Sequence, residues 1–146
     1  MSAIALEPIT VESRPRYRTP GLAEFHERVK SGHGQFITRA DFDRVRPSRF
    51  SDMLRGVPGL QIICELTRCM VQFQRNRRVR GDCKVQIFVD GTPYDPETID
   101  FLRPEEIEGV EIYSGPSDVP VRFARGGSNA TRCGVVAIWL RERLGG

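Results

Sequence analysis

The 146-residue sequence is poor in the residues on which many catalytic and cofactor sites depend. It contains two histidines, His26 and His33, and neither lies near a cysteine. No G-x-S-x-G segment places a serine on a sharp turn, so a hydrolase triad has no support. The glycine-rich segment at 124–130 lacks the G-K-[ST] of a phosphate-binding loop and is typical of a loop before a strand. We therefore expect no catalytic residues, no metal site and no cofactor.

Long apolar runs are also absent. No stretch approaches the roughly 18 apolar residues that a membrane-spanning helix requires. The first ten residues have neither a charged n-region nor a sustained apolar segment, so they do not resemble a signal peptide. Taken alone, this start predicts a cytoplasmic chain, unless it marks the edge of a domain whose export signal lies upstream.

The net charge is only +3, because 22 Lys and Arg residues are nearly balanced by 19 Asp and Glu residues. The densest basic group consists of Arg75, Arg77, Arg78 and Arg80. Such a group can bind an anion, but it is more often a solvated loop, and no aromatic–basic pattern accompanies it. We keep these arginines as a candidate ligand or anion loop and expect no nucleic-acid partner.

Four cysteines are present, at positions 64, 69, 83 and 133. An even number in a small domain fits a disulfide framework, for which three pairings are possible. The C-x4-C spacing followed by long gaps does not match a zinc ribbon or finger. Free buried thiols and a metal site remain the alternatives.

The order of apolar patterns predicts the fold class. Helical spacing is found at 20–34, 38–47 and 47–59, where Pro20, Thr38 and Ser48 are placed to start helices. Strand patterns follow at 59–64, 69–74, 83–91, 109–115 and 133–143, with helical or turn-like residues at 96–109. The last strand is almost continuously apolar, which indicates a central strand. We predict an α+β domain, a small mixed sheet of four to six strands with two or three short helices packed on it.

Two carboxylates, Asp90 and Asp95, bracket the segment VDGTPYD and raise the question of an acidic site. An Asp-Gly pair after alternating apolar residues predicts a tight turn. Pro93 argues against an immediate return strand, since it cannot donate to a ladder. The following residues are typical of a short helix that Asp95 could cap. We therefore assign both carboxylates structural roles.

The order of these segments resembles the plug domain of TonB-dependent outer-membrane receptors. The resemblance rests on MLRGVPGLQI, VDGTPYD, EEIEGVEIYSGPSD and CGVVAIW, in this order over about residues 48–142. The third is the most specific, since it matches P-x-x-I-x-x-(I/V)-E-(I/V)-x-x-G-P from Pro104 to Pro116. The lead-in FITRADFDRVRPSRFSDMLRGVPG is similar to a subgroup in which a carboxypeptidase-regulatory-like domain often precedes the plug.

The resemblance implies a function in nutrient uptake. A plug of this family sits inside a large outer-membrane β-barrel and blocks it, and its outward loops help to bind a nutrient, which the sequence does not identify. A TonB-type energy transducer pairs with an extended N-terminal segment. Here EPITVES resembles such a TonB box, with Ile9, Thr10 and Val11 as its core. We predict a TonB-box-like segment and linker at 1–19 and a plug-like domain at 20–146.

The resemblance further implies that Cys83 bonds with Cys133 on neighbouring strands, while Cys64 and Cys69 close a small loop. No barrel sequence follows Gly146. We therefore expect an excised receptor domain that works by binding and gating. The alternative is a free-standing periplasmic adaptor without a barrel, which would bind TonB or another envelope protein but no nutrient. Either would act at the outer membrane or its periplasmic side, and not as an enzyme.

Overall fold

The computed structural model describes residues 19–66, 68–76, 83–124 and 131–142. Over these residues the chain forms three α-helices, α1 (Pro20–Ser31), α2 (Arg39–Val45) and α3 (Phe50–Leu54). The strands are β1 (Gln35–Thr38), β2 (Leu60–Glu65), β3 (Arg68–Phe73), β4 (Gln86–Val89), β5 (Thr92–Tyr94), β6 (Ile107–Tyr113) and β7 (Val135–Leu140). Short 3-10 helices lie at Gln74–Asn76, Pro96–Phe101, Pro104–Glu106 and Val121–Phe123.

Five strands form one mixed sheet in the order β1-β6-β7-β4-β5. Only the pairing of β4 with β7 is parallel, and the other neighbours are antiparallel. Strands β2 and β3 form a separate antiparallel hairpin. The predicted α+β class and the mixed sheet are confirmed, and β7 is the buried central strand that its apolar run indicated.

Apolar side chains cover both faces of the five-stranded sheet. The first core lies under α2, α3 and the hairpin, and Phe42, Phe50 and Phe73 are its largest members. The second core lies under α1 and contains Trp139, the only tryptophan of the chain. Because successive side chains of a strand point to opposite faces, β6 and β7 contribute to both cores.

Two of the three predicted helix starts are confirmed. Pro20 opens α1, where its fixed φ suits the first turn. Thr38 precedes α2 in a capping box, and its N–H donates to Asp41 Oδ2 at 2.8 Å. The prediction for Ser48 was wrong, because α3 begins one residue later and Arg49 occupies the capping position, with its N–H donating to Asp52 Oδ2 at 3.2 Å.

The chain returns directly after the Asp-Gly turn, so the expectation drawn from Pro93 was wrong. Asp90 and Gly91 have φ values of 51° and 87°, which suit the tight turn between β4 and β5. Pro93 lies opposite Phe88 in the register, on an edge strand. A proline is compatible with such an edge because its missing N–H is not needed by another strand there.

Strand β1 was not predicted either. Its four residues follow Gly34, which has φ 101°, and pair with β6 more than 70 positions away. A four-residue segment between two helices gives too short an alternation to be recognised. The pairing is decided by the distant partner strand.

Candidate functional site: the Glu111 cluster, the hairpin cavity and the cysteines

Helix α1 packs unusually close to the sheet at two glycines. A side chain at Gly21 would collide with the ring of Trp139, and one at Gly109 would collide with the ring of Phe25. Leu22 and Phe25 are buried under the helix. The two glycines therefore allow α1, the first described element of the chain, to lie directly on β6 and β7.

A buried carboxylate fixes α1 in this position. Glu111 is fully buried in β6. Arg28 donates through Nε to Oε1 at 2.5 Å and through Nη2 to Oε2 at 2.7 Å. The hydroxyl of Tyr113 donates to Oε1 at 2.5 Å, and Trp139 Nε1 donates to Oε2 at 2.6 Å. A buried charge is tolerated only when it is paired and hydrogen-bonded, and these four residues, the Glu111 cluster, meet that requirement.

The pKa shifts in the Glu111 cluster favour a structural role. Burial, followed by the hydrogen bond to Glu111, raises the pKa of the Tyr113 phenol far above its ordinary value. Burial of Arg28 disfavours its cation, but the hydrogen bond and the charge of Glu111 outweigh that effect, so the pKa of its guanidinium is raised. Arg28 and Tyr113 therefore keep their protons near neutral pH and hold α1 as hydrogen-bond donors.

A second ion pair supports the same helix at the surface. Arg122 Nη1 donates to Glu24 Oε1 at 2.9 Å. The guanidinium carbon of Arg122 also lies 5.1 Å from the ring centroid of Trp139. The segment that contains the Val121–Phe123 3-10 helix thus joins α1 to the sheet.

A cavity of about 350 Å³ opens between the hairpin and the start of the Pro96–Phe101 3-10 helix. The β2–β3 hairpin contributes Ile63, Met70 and Arg68 to its lining. The facing wall contains Lys84 and the segment 95–97. We call it the hairpin cavity. Within the described residues, no group of three or more His, Cys, Asp or Glu side chains is arranged to hold a metal ion.

Two disulfides are present, and they join the pairs that the resemblance implied. Cys64 and Cys69 face each other across β2 and β3. Cys83 lies just before β4 and Cys133 just before β7, and their Cα atoms are 5.2 Å apart. Because β4 and β7 are parallel neighbours, the second disulfide links the chain just before the N-terminal ends of both strands.

The sequence matches the model of the TonB-dependent Receptor Plug Domain over residues 30–131. That match covers more than half of the chain. The chain belongs to the TonB-dependent receptor plug domain family. No curated protein is similar enough in sequence to count as a relative.

Solved structures show the same fold for this plug domain. The siderophore receptor PirA from Acinetobacter baumannii is 24% identical over 80% of the chain, with a TM-score of 0.55. A mutant of the ferric enterobactin receptor PfeA from Pseudomonas aeruginosa is 21% identical over 76%, also at 0.55. The RagAB peptide importer in its open-open state is 17% identical over 77%, at 0.56. This chain spans 18%, 17% and 13% of those chains, respectively.

The sequence-predicted ligand and partner residues lie mainly outside the described part of the plug domain. The TonB-box candidate, Ile9, Thr10 and Val11, falls within residues 1–18, and Arg77, Arg78 and Arg80 fall within 77–82. Arg75 lies in the Gln74–Asn76 3-10 helix with its guanidinium beside Gly115. No helix among the residues described is both long and apolar enough to cross a membrane.

The two carboxylates of the VDGTPYD segment have the structural roles that were predicted. Asp90 occupies the turn, and its Oδ1 accepts the N–H of Leu140 at 3.0 Å. Asp95 caps the next 3-10 helix by accepting the N–H of Glu97 at 3.0 Å. The Glu111 cluster was not predicted, although Glu111 itself is the glutamate of the pattern P-x-x-I-x-x-(I/V)-E-(I/V)-x-x-G-P. Its partner Arg28 lies 83 positions away, so no local pattern connects the two.

Proposed function

We propose that this plug domain closes the barrel of a TonB-dependent outer-membrane uptake system and acts by binding and gating, without catalysis. The family match over residues 30–131 carries this proposal. The proposed location is the outer membrane, with the N-terminal segment on the periplasmic side. The proposed partners are a barrel and a TonB-type transducer.

The ligand is not decided by the fold. PirA is a siderophore receptor, PfeA is a ferric enterobactin receptor and RagAB is a peptide importer, yet all three share the fold with this chain. A scaffold that serves different ligands places selectivity in its loops and cavities. We therefore propose uptake of a scarce nutrient.

The proposed transducer contact is the extended segment around Ile9, Thr10 and Val11. A β-branched segment followed by a proline-rich linker can add as a strand to a partner's sheet, and proline within the segment would remove a donor from that ladder. We expect a variant with Ile9→Pro and Val11→Pro to lose capture by the purified C-terminal domain of a TonB-type protein. An Ala3→Pro variant, which leaves the three core residues intact, should retain capture.

The pull-down is interpretable only if both variants fold, and Trp139 fluorescence reports this because the residue is buried in the second core. Equal capture of wild type and both variants would remove the TonB-box assignment. Absence of capture for the wild type would contradict the proposed transducer partner.

The arginine loop stays a proposed anion site. Four guanidinium groups within residues 75–80 favour a negatively charged ligand, such as a ferric chelate of catecholates. We expect replacement of Arg75, Arg77, Arg78 and Arg80 by Gln to weaken binding of ferric tris-catecholate, as measured by fluorescence titration. The control replaces four exposed arginines elsewhere by Gln, namely Arg44, Arg49, Arg103 and Arg141. Equal loss in both variants would indicate a nonspecific charge effect.

A further inference from the structure

The hairpin cavity combines an apolar floor with charges of both signs at its rim. Ile63 and Met70 lie directly opposite each other on β2 and β3 and supply the apolar floor. Val71 and the disulfide-bonded Cys69, which belong to the first core at 1% and 5% exposure, also line the cavity. A volume of about 350 Å³ is within the range of small-ligand pockets.

The charged groups at the rim come from both walls. Arg68 on the hairpin and Lys84 on the facing wall are the cations. Glu65, Asp95 and Glu97 are the carboxylates. Arg68 Nη1 lies 3.5 Å from Glu97 Oε2 across the cavity, but both side chains are largely exposed, at 78% and 44%. An exposed pair of this kind contributes little to stability, so a ligand can replace either partner at low cost.

Disulfide and backbone geometry hold the hairpin wall in place. Cys64 and Cys69 are cross-strand partners one pair before the tip. Beyond them, Leu66 is fully exposed and has φ 56°, a conformation that an L-residue seldom adopts without a constraint. Leu66 directly follows the lining residue Glu65 in the chain. A preformed wall loses less conformational entropy of its own when a ligand binds.

We propose that the hairpin cavity binds an aliphatic amino acid or the end of a short peptide. Its aliphatic side chain would contact the Ile63–Met70 floor, its carboxylate would meet Arg68 or Lys84, and its ammonium group would meet the carboxylates at the rim. A polyanionic chelate is disfavoured because, among the described lining residues, three carboxylates and two cations would face it. This inference rests on the proposed uptake function, since it names the nutrient class that this site would select.

The test is isothermal titration of the full 146-residue chain, with its disulfides intact, using the dipeptide Ala-Leu and free L-leucine. We expect saturable binding of at least one of them, which separates the peptide and amino-acid sources. N-acetyl-leucine-methylamide, which has the side chain but no charges, should bind at least about tenfold more weakly, since each charged hydrogen bond is worth about one such factor. Ala-Gly, which lacks the aliphatic side chain, should also bind more weakly.

Variants locate the binding. Arg68→Gln and Glu97→Gln should each weaken binding about tenfold. A matched control uses Lys30→Gln and Glu27→Gln, because these residues form a comparable exposed pair at 3.8 Å on α1. Near-UV circular dichroism checks that each variant is folded.

Several results would overturn the inference. One is that neither Ala-Leu nor L-leucine binds saturably. Another is that the uncharged analogue binds as tightly as the charged compounds. A third is that the cavity variants and the control variants lose the same amount of affinity. Binding of ferric tris-catecholate that Arg68→Gln abolishes would assign the cavity to anionic chelates instead. The TonB pull-down is independent of these titrations. If the leucine compounds do not bind but TonB capture is intact, only the proposed ligand class is rejected. If they bind but TonB capture fails, only the transducer contact is rejected.

Discussion

At the scale of single residues, Glu111 is the buried charge on which the attachment of α1 depends. We expect Glu111→Gln to destabilise the domain by about 3–5 kcal/mol, because it removes the buried, bidentate carboxylate partner of the Arg28 cation. Urea unfolding at neutral pH measures this. Glu27→Gln serves as control, since that carboxylate belongs to an exposed pair and should change stability by less than about 0.5 kcal/mol. Similar losses in both variants would contradict the assignment.

Gly109 is the second residue with a specific expectation. A methyl group there would meet the ring of Phe25, so Gly109→Ala should cost about 1–3 kcal/mol through overpacking. Gly56→Ala is the matched control, because its nearest neighbour would be 3.6 Å away, an ordinary contact. Thermal unfolding of the two variants side by side distinguishes a local clash from a general effect of losing glycine.

At the scale of elements, the two disulfides should differ in what they contribute. Under the chain-entropy estimate, the 50-residue separation of Cys83 and Cys133 corresponds to about 4 kcal/mol, and the five-residue separation of Cys64 and Cys69 to about 2 kcal/mol. We expect the Cys83→Ser/Cys133→Ser variant to lose more stability than the Cys64→Ser/Cys69→Ser variant. Denaturant unfolding without reductant measures both. The reverse order would show that constraint of the unfolded chain is not the main contribution.

The start of α2 gives a pH-dependent expectation. The Thr38 N–H bond lowers the pKa of Asp41 below its ordinary value of 3.8. The stabilisation by Asp41 is therefore present above that value and is lost as the pH falls through the lower, folded-state pKa. Asp41→Asn should cost about 1 kcal/mol at pH 7, and the difference from wild type should close in strong acid.

Asp43→Asn is the control for this expectation, because Asp43 lies on the same helix and its exposed carboxylate pairs with the side chain of Arg39 instead of capping a backbone N–H. At pH 7, Asp43→Asn should lower the free energy of unfolding by less than Asp41→Asn does. A gap for Asp41→Asn that persists unchanged in strong acid would contradict the capping role. Stability at each pH is measured by urea unfolding.

At the scale of the whole molecule, the two cores should unfold together, because β6 and β7 carry side chains of both. Trp139 fluorescence reports the second core, while far-UV circular dichroism reports the helices and strands of the whole domain. We prepare Phe50→Ala in the first core and Phe25→Ala in the second. Within each variant, we expect the unfolding midpoint measured by fluorescence to shift as much as the midpoint measured by circular dichroism. A fluorescence transition that precedes the other would mean that α1 detaches independently.

How far the sequence predicts the molecule differs between local and long-range features. The capping pair Thr38 and Asp41, the Asp-Gly turn and the apolar run of β7 are local, and each led to a correct element. The resemblance of the segment around Glu111 led to the correct family. These features succeed because a few neighbouring residues fix the backbone without help from the rest of the chain.

Other features were decided only when distant residues met. Strand β1 forms because its residues pair with β6. Pro93 can lie in β5 because β5 is an edge strand, where no second neighbour requires the missing N–H. Glu111 became a buried structural charge because Arg28 reached it from a helix 83 positions earlier. The hairpin cavity likewise depends on β3 packing beside the 3-10 helix at Pro96–Phe101. Local residue patterns are enough to assign the elements and the family. Register, burial and the pairing of charges follow from the tertiary structure, since these depend on contacts that no local pattern contains.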